Sequence, residues 1–149
     1  MTHDELVARA AKWLLSTKKC QVVITEMSSG AFEEPDAIGW NSGVSYLIEC
    51  KTSMSDMLKD GQKSHRRHPA QGLGSYRYVM ADKLLAHQLL SNQAKPAGWG
   101  LLSITGTRVL MLAESNVHVC NRHGEIKLLS SGMQRLITPE TRGIAVKVY

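Results

Sequence analysis

No stretch of the 149-residue chain strings together the roughly eighteen apolar residues that a helix needs to cross a bilayer. The first residues, Met1-Thr2-His3-Asp4-Glu5, also lack the basic segment and apolar run of a secretory leader. These absences set the expectation of a cytoplasmic protein with no membrane partner. Cysteine is sparse: Cys20, Cys50 and Cys120 are odd in number and widely separated, and two of them lie in apolar, strand-like surroundings. A disulfide framework is therefore excluded, and buried thiols in a reduced compartment are expected. There is no internal repeat, low-complexity segment or linker, so residues 1–149 are read as one domain, long enough to bury one core. Acidic residues are outnumbered, 13 against 18 lysines and arginines, for a net charge of +5. Such an excess points toward polyanions, and much of it lies between Lys59 and Arg67.

The chain opens with a helix from Thr2 or His3 to Lys18, in which Thr2 and Glu5 have the spacing of a capping box. Leu6, Ala10, Trp13 and Leu14 form its apolar face. Cys20–Thr25 carries a β-branched run of strand length, and Ser28-Ser29-Gly30 is a loop. Pro35-Asp36-Ala37-Ile38-Gly39-Trp40 reads as a second strand and Tyr46–Cys50 as a third, joined as a hairpin through Asn41-Ser42-Gly43. A short capped helix follows over Ser53–Asp60, ending at Gly61, and the basic segment Gln62–Gly74 reads as a mobile loop. Tyr76–Ala81 has strand alternation and Asp82–Leu90 is a helix. Trp99–Ile104 and Arg108–Leu112 pair as strands. Beyond Ser115, Val117–Cys120 is expected as a strand, Ser131–Leu136 as a short helix and Ile144–Tyr149 as a closing strand. This order predicts an α/β fold with a mixed central β-sheet flanked by helices.

The third strand ends unusually, in Glu49-Cys50-Lys51. Side chains on a strand alternate, so Glu49 and Lys51 share one face while Ile48 and Cys50 take the other. The hairpin brings Asp36 beside Glu49, and two carboxylates with an amine at their side make a hard-cation site suited to phosphate chemistry. Mg²⁺ (or Mn²⁺) held by Asp36, Glu49 and the backbone carbonyl of Cys50 lowers the two obstacles to phosphodiester hydrolysis, charge repulsion and a poor leaving group. Lys51 is placed to hold the attacking water. The competing reading is a surface Glu49–Lys51 pair worth under about 1 kcal/mol, and the interior character of Tyr46-Leu47-Ile48 argues against it.

Pro35-Asp36, twelve further residues and then Glu49-Cys50-Lys51, behind an N-terminal helix and a strand, resembles the PD-(D/E)xK nuclease superfamily. The likeness covers roughly residues 3–81, and Glu49–Asp60 is similar to small bacterial and phage-carried members, including the MmcB-like DNA-repair group. The resemblance implies a restriction-endonuclease-like core and a magnesium-dependent endonuclease acting on DNA, with Asp36, Glu49 and Lys51 as its catalytic set. It also implies an acid from the first helix at the metal. Glu5 is the match, with His3 and Asp4 as rivals, although helical periodicity lines Glu5 up with Arg9 and Lys12 on a solvated stripe. Asp56 and Asp60 fall where they can support the site from behind.

Nucleic-acid contact is expected from Lys63, His65, Arg66 and Arg67, with Tyr76 and Arg77 close by to stack and pair. Such contacts read the backbone and carry no sequence preference. A non-catalytic or partner-dependent DNA-binding module of the same fold is the first alternative. A junction- or flap-specific nuclease working as a homodimer is the second. His118, Cys120 and His123 have soft-ligand character but not the spacing of a zinc site.

Overall fold

The apolar runs assemble into one six-stranded mixed sheet in which each strand lies beside its neighbours in sequence, in the order β1-β2-β3-β4-β5-β6. The structure is a computed structural model and describes residues 1–27, 29 and 33–137. Its elements are α1 (His3–Ser16), β1 (Val22–Thr25), β2 (Ala37–Asn41), β3 (Val44–Cys50), α2 (Met54–Asp60), α3 (Ser64–Arg67), β4 (Tyr76–Asp82), α4 (Lys83–Ser91), β5 (Gly100–Thr105), β6 (Arg108–Ala113) and α5 (Arg122–Leu136), with a 3₁₀ turn at Pro69–Gln71. β1, β2 and β3 are antiparallel, β3, β4 and β5 run parallel, and β6 returns antiparallel to β5. The expected α/β class with a mixed, helix-flanked sheet is what the chain adopts.

Two apolar cores, one on each face of the sheet, fix this arrangement. α1 starts where the capping box predicts: the Glu5 amide donates to the Thr2 hydroxyl at 3.2 Å and the Glu5 carboxylate accepts from the Thr2 amide at 2.7 Å. Its buried stripe of Leu6, Val7, Ala10, Trp13 and Leu14 packs on Ala37, Ile48, Cys50, Tyr78, Met80 and Leu102. The opposite face sets Leu47, Val79 and Leu101 against Met57 of α2, Leu85, Ala86 and Leu89 of α4, and Leu128 of α5. The alternation predicted for β3 thus holds, with Ile48 and Cys50 toward α1 and Leu47 toward the other helices.

The β2–β3 hairpin turns on Ser42 and Gly43, both at positive φ (49° and 82°), as a two-residue turn with the twist of its strands requires. Gly39 in β2 is needed for space: a Cβ there would lie 2.7 Å from the Cys20 sulfur. Cys20 and Cys50 are buried thiols, and no disulfide occurs among the described residues.

Three expectations are corrected. Gln62–Gly74 is not a loose loop but α3 and the 3₁₀ turn, held by buried ion pairs that composition alone did not reveal. Val117–Cys120 joins no strand; its backbone instead bonds outward, His118 N–H donating to Ser75 C=O at 2.7 Å and Val119 C=O accepting from Arg77 Nη2 at 3.1 Å. The last helix begins at Arg122 rather than Ser131, because the Asn121 side chain caps it by accepting from the Gly124 amide. The Ser28–Gly30 loop lies partly, and the Ile144–Tyr149 strand wholly, outside the described residues. Among those residues no helix is long and apolar enough to cross a membrane.

Candidate metal and phosphate site

The last residues of β3 carry the charges. The Lys51 amide donates to Met80 C=O at 2.9 Å, continuing the parallel ladder one step past Cys50 and fixing the backbone where the polar side chains emerge. Lys51 Nζ lies 3.4 Å from Glu49 Oε2 and 3.3 Å from Asp60 Oδ1, so the predicted acid and amine do meet on one face. Neither is a surface group: Glu49 is 2% exposed and Lys51 4%. Pairing of Ala37 with Ile48 sets Asp36 next to Glu49 across the hairpin. Asp36 Oδ2 accepts the Cys50 amide hydrogen at 2.7 Å, which pins the carboxylate to the end of β3.

Asp36 is shared with a second group. His3 Nε2 lies 3.3 Å from Asp36 Oδ1 and His3 Nδ1 lies 3.4 Å from Glu26 Oε1. One ligand atom from each of His3, Glu26 and Asp36 falls within 4.8 Å of the others. α1, the end of β1 and the approach to β2 each contribute one of them. Burial, and then the Asp36 charge, push the Glu49 carboxyl up to about 8, with Arg66 pulling against them. A carboxylate that is buried and set beside a second one is costly to ionise, which is the condition a further cation relieves.

Behind Glu49 lies a closed ion-pair network. Arg66 donates from Nη1 to Glu33 at 2.6 Å and from Nε to Asp60 at 2.7 Å, brings Nη2 to 3.5 Å from Glu49, and stacks its plane 4.4 Å from the centre of the Trp99 ring. Lys63 reaches Asp60 at 2.9 Å. Glu33 also accepts the Leu73 amide at 2.8 Å. Burial raises the Asp60 carboxyl, but Arg66 and Lys51 outweigh it and hold the group well below the usual carboxylate range. Burial pulls Lys51 down, yet Glu49 and then Asp60 leave it raised and cationic.

The predicted residues divide accordingly. Asp36, Glu49 and Lys51 come together, and Asp60 joins them. Cys50 contributes an amide to Asp36, its side chain being turned into the α1 core. Glu5 does not reach the site: its carboxylate is spent on the capping box and is fully exposed, and the Thr2 amide holds its pKa down. His3, two residues earlier and so on the other side of the helix, is the residue α1 delivers.

Of the expected nucleic-acid contacts, Lys63 and Arg67 are exposed, while His65 is buried and Arg66 is committed to three acids. Arg77 is interior, donating to the carbonyls of Gly74, Pro69, Gly72 and Val119. Tyr76 is half-buried, with one ring face stacked 5.2 Å from Tyr46. Arg66 and Arg77 are therefore corrected from strand contacts to interior cations: their positive charge is legible in sequence, their burial is not. Glu33 and Glu26 were missed. Glu33 had a signal, an acid beside Glu34 just ahead of Pro35-Asp36 with an excess of cations downstream.

No protein-family profile and no curated protein matches the chain. Among solved structures, the chain is similar to the SPO1766 protein of unknown function from Silicibacter pomeroyi, at 19% identity over 98% of this chain and 99% of that one, with a TM-score of 0.64. The likeness extends to the fold alone.

Proposed function

We propose that the chain is a divalent-metal-dependent endonuclease of the PD-(D/E)xK type that hydrolyses DNA phosphodiester bonds. One observation carries this reading: Glu49 and Lys51 stand side by side at the end of a buried strand, with Asp36 held beside them by the Cys50 amide. The order helix, three antiparallel strands, helix, parallel strand supports the restriction-endonuclease-like core. The donor set fits a hard divalent cation: Asp36 and Glu26 offer carboxylate oxygens within 4.8 Å of each other and of a His3 nitrogen, Glu49 lies next to Asp36 across the hairpin, and the His3 imidazole extends the fit to Mn²⁺. When bound, such an ion supplies Lewis-acid polarisation of a phosphate oxygen and an acidified water. The chain itself contributes orientation and charge. Lys51, kept cationic by Glu49 and Asp60, faces the developing negative charge, and Asp60 fixes its Nζ from behind. Lys63 and Arg67, exposed on the adjoining segment, hold the strand's phosphates.

A second reading is favoured by the closure around Glu49, whose two oxygens already face Lys51 and Arg66. On it, the same fold holds DNA without cutting it, or cuts only with a partner or as a dimer on branched substrates.

The test is incubation with linear, nicked, circular and branched DNA in Mg²⁺ or Mn²⁺ against EDTA, beside Asp36→Asn and Lys51→Met, with folding checked by circular dichroism. Metal-dependent cutting lost in both variants is expected. Hydrolysis that survives chelation and both substitutions overturns the proposal, and tight, salt-sensitive binding without hydrolysis selects the second reading.

A further inference from the structure

Arg77 is 1% exposed, and no carboxylate lies within ion-pair distance of it among the described residues. Its recorded hydrogen bonds run from Nε and Nη2 to backbone carbonyls, 2.8–3.2 Å away, and none runs from Nη1 among the described residues. A buried guanidinium without a counter-ion is costly, and burial lowers the pKa of Arg77 for that reason. Beside it lies a cavity of about 160 Å³ lined by His65, Arg66, Arg77, Trp99 and His118, with no acidic residue in its wall. Three buried side-chain polar atoms among the described residues lack a hydrogen-bond partner, and two of them, His65 Nε2 and Arg66 Nη2, belong to side chains of this wall, each 3.5 Å from a buried carboxylate behind it, Glu33 and Glu49 respectively. Exposed Pro69 and Ala97 and half-buried His118 form its rim.

We propose that this cavity is a phosphate-binding site, taking a tetrahedral phosphate or phosphate monoester. Arg77 supplies the guanidinium edge that no carboxylate claims, and the His65 and His118 imidazoles stand beside it. Arg66 keeps its three acids and His118 Nε2 its contact with Gly98 C=O at 3.1 Å, so Arg77 is the cation that meets the phosphate, and guanidinium geometry suits phosphate oxygens. The volume admits a terminal phosphate rather than a continuous strand. The site goes beyond the nuclease reading, since it stands whether or not the chain cuts DNA. Arg66 links the two, with its edge on Glu49 and its face on the Trp99 that walls the cavity.

The experiment is isothermal titration of the full chain with inorganic phosphate in EDTA at constant ionic strength, so that metal-dependent cutting plays no part. Ala97→Glu sets a carboxylate at the rim, where the backbone core is untouched. Saturable phosphate binding is expected, weakened at least about tenfold in Ala97→Glu by like-charge repulsion. A 5′-phosphorylated oligonucleotide that competes where its unphosphorylated twin does not identifies a strand terminus as the source. Competition by neither identifies free phosphate. Absence of saturable binding, or equal binding by folded Ala97→Glu, overturns the proposal.

Discussion

Asp60 shows how far a single side chain can be committed. Its carboxylate faces Lys51, Lys63 and Arg66 at 2.7–3.3 Å, so Asp60→Asn removes the counter-charge that two buried cations share and is expected to cost about 3–5 kcal/mol in denaturant unfolding. Because its folded pKa lies below the ordinary 3.8, its contribution is complete above that value and is lost as pH falls through the acid range. Glu49 has the opposite sign. Its carboxyl, raised from 4.5 to about 8, is easier to bury protonated, so its contribution to stability is full below pH 4.5 and is lost as pH rises toward 8. A proton also competes with a cation there, so Mn²⁺ affinity, read by calorimetry, is expected to rise with pH up to about 8 and then level. His3 supplies the nitrogen donor beside Asp36, and His3→Ala is expected to weaken Mn²⁺ more than Mg²⁺ in the same titration.

β2 and β3 were readable as strands because their apolar runs end in turn residues, and α1 because Thr2 and Glu5 announce its start. The polar ends of the same elements placed Asp36 beside Glu49. α3 was not readable: Arg66 and Arg67 look alike in sequence, and only the fold turns one inward onto Glu33 and Asp60 and leaves the other in solvent. A buried arginine has no local signature, since its partners lie 6 to 33 residues away. Arg66→Met is therefore expected to loosen residues 62–74, seen as faster amide exchange there than in β3 and β4. At the other end of β2, Gly39→Ala drives a methyl into the Cys20 sulfur and is expected to cost about 1–3 kcal/mol, part of it recovered in the double variant with Cys20→Ala.

Across the whole molecule, the basic excess does not form one surface. The side chains of Arg66, Arg77 and Lys51 are interior, and among the exposed cations of the segment beside the site are Lys63, its ammonium 2.9 Å from Asp60, and Arg67. Charge reversal at these two is expected to weaken DNA binding uniformly across sequences and to flatten its salt dependence by roughly one unit of slope per lost contact, measured by fluorescence anisotropy over a salt series. The two faces of the sheet also divide the work, with His3 carried by the helix of one core and the Arg66 network backed by the other. The Ser42-Gly43 turn lies at the far end of β3 from Lys51, some 25 Å along an extended strand, and the Ser42 side chain there is exposed. That tip is the natural place to graft a dye or an affinity handle, because cargo carried there leaves every charged partner at the opposite end undisturbed.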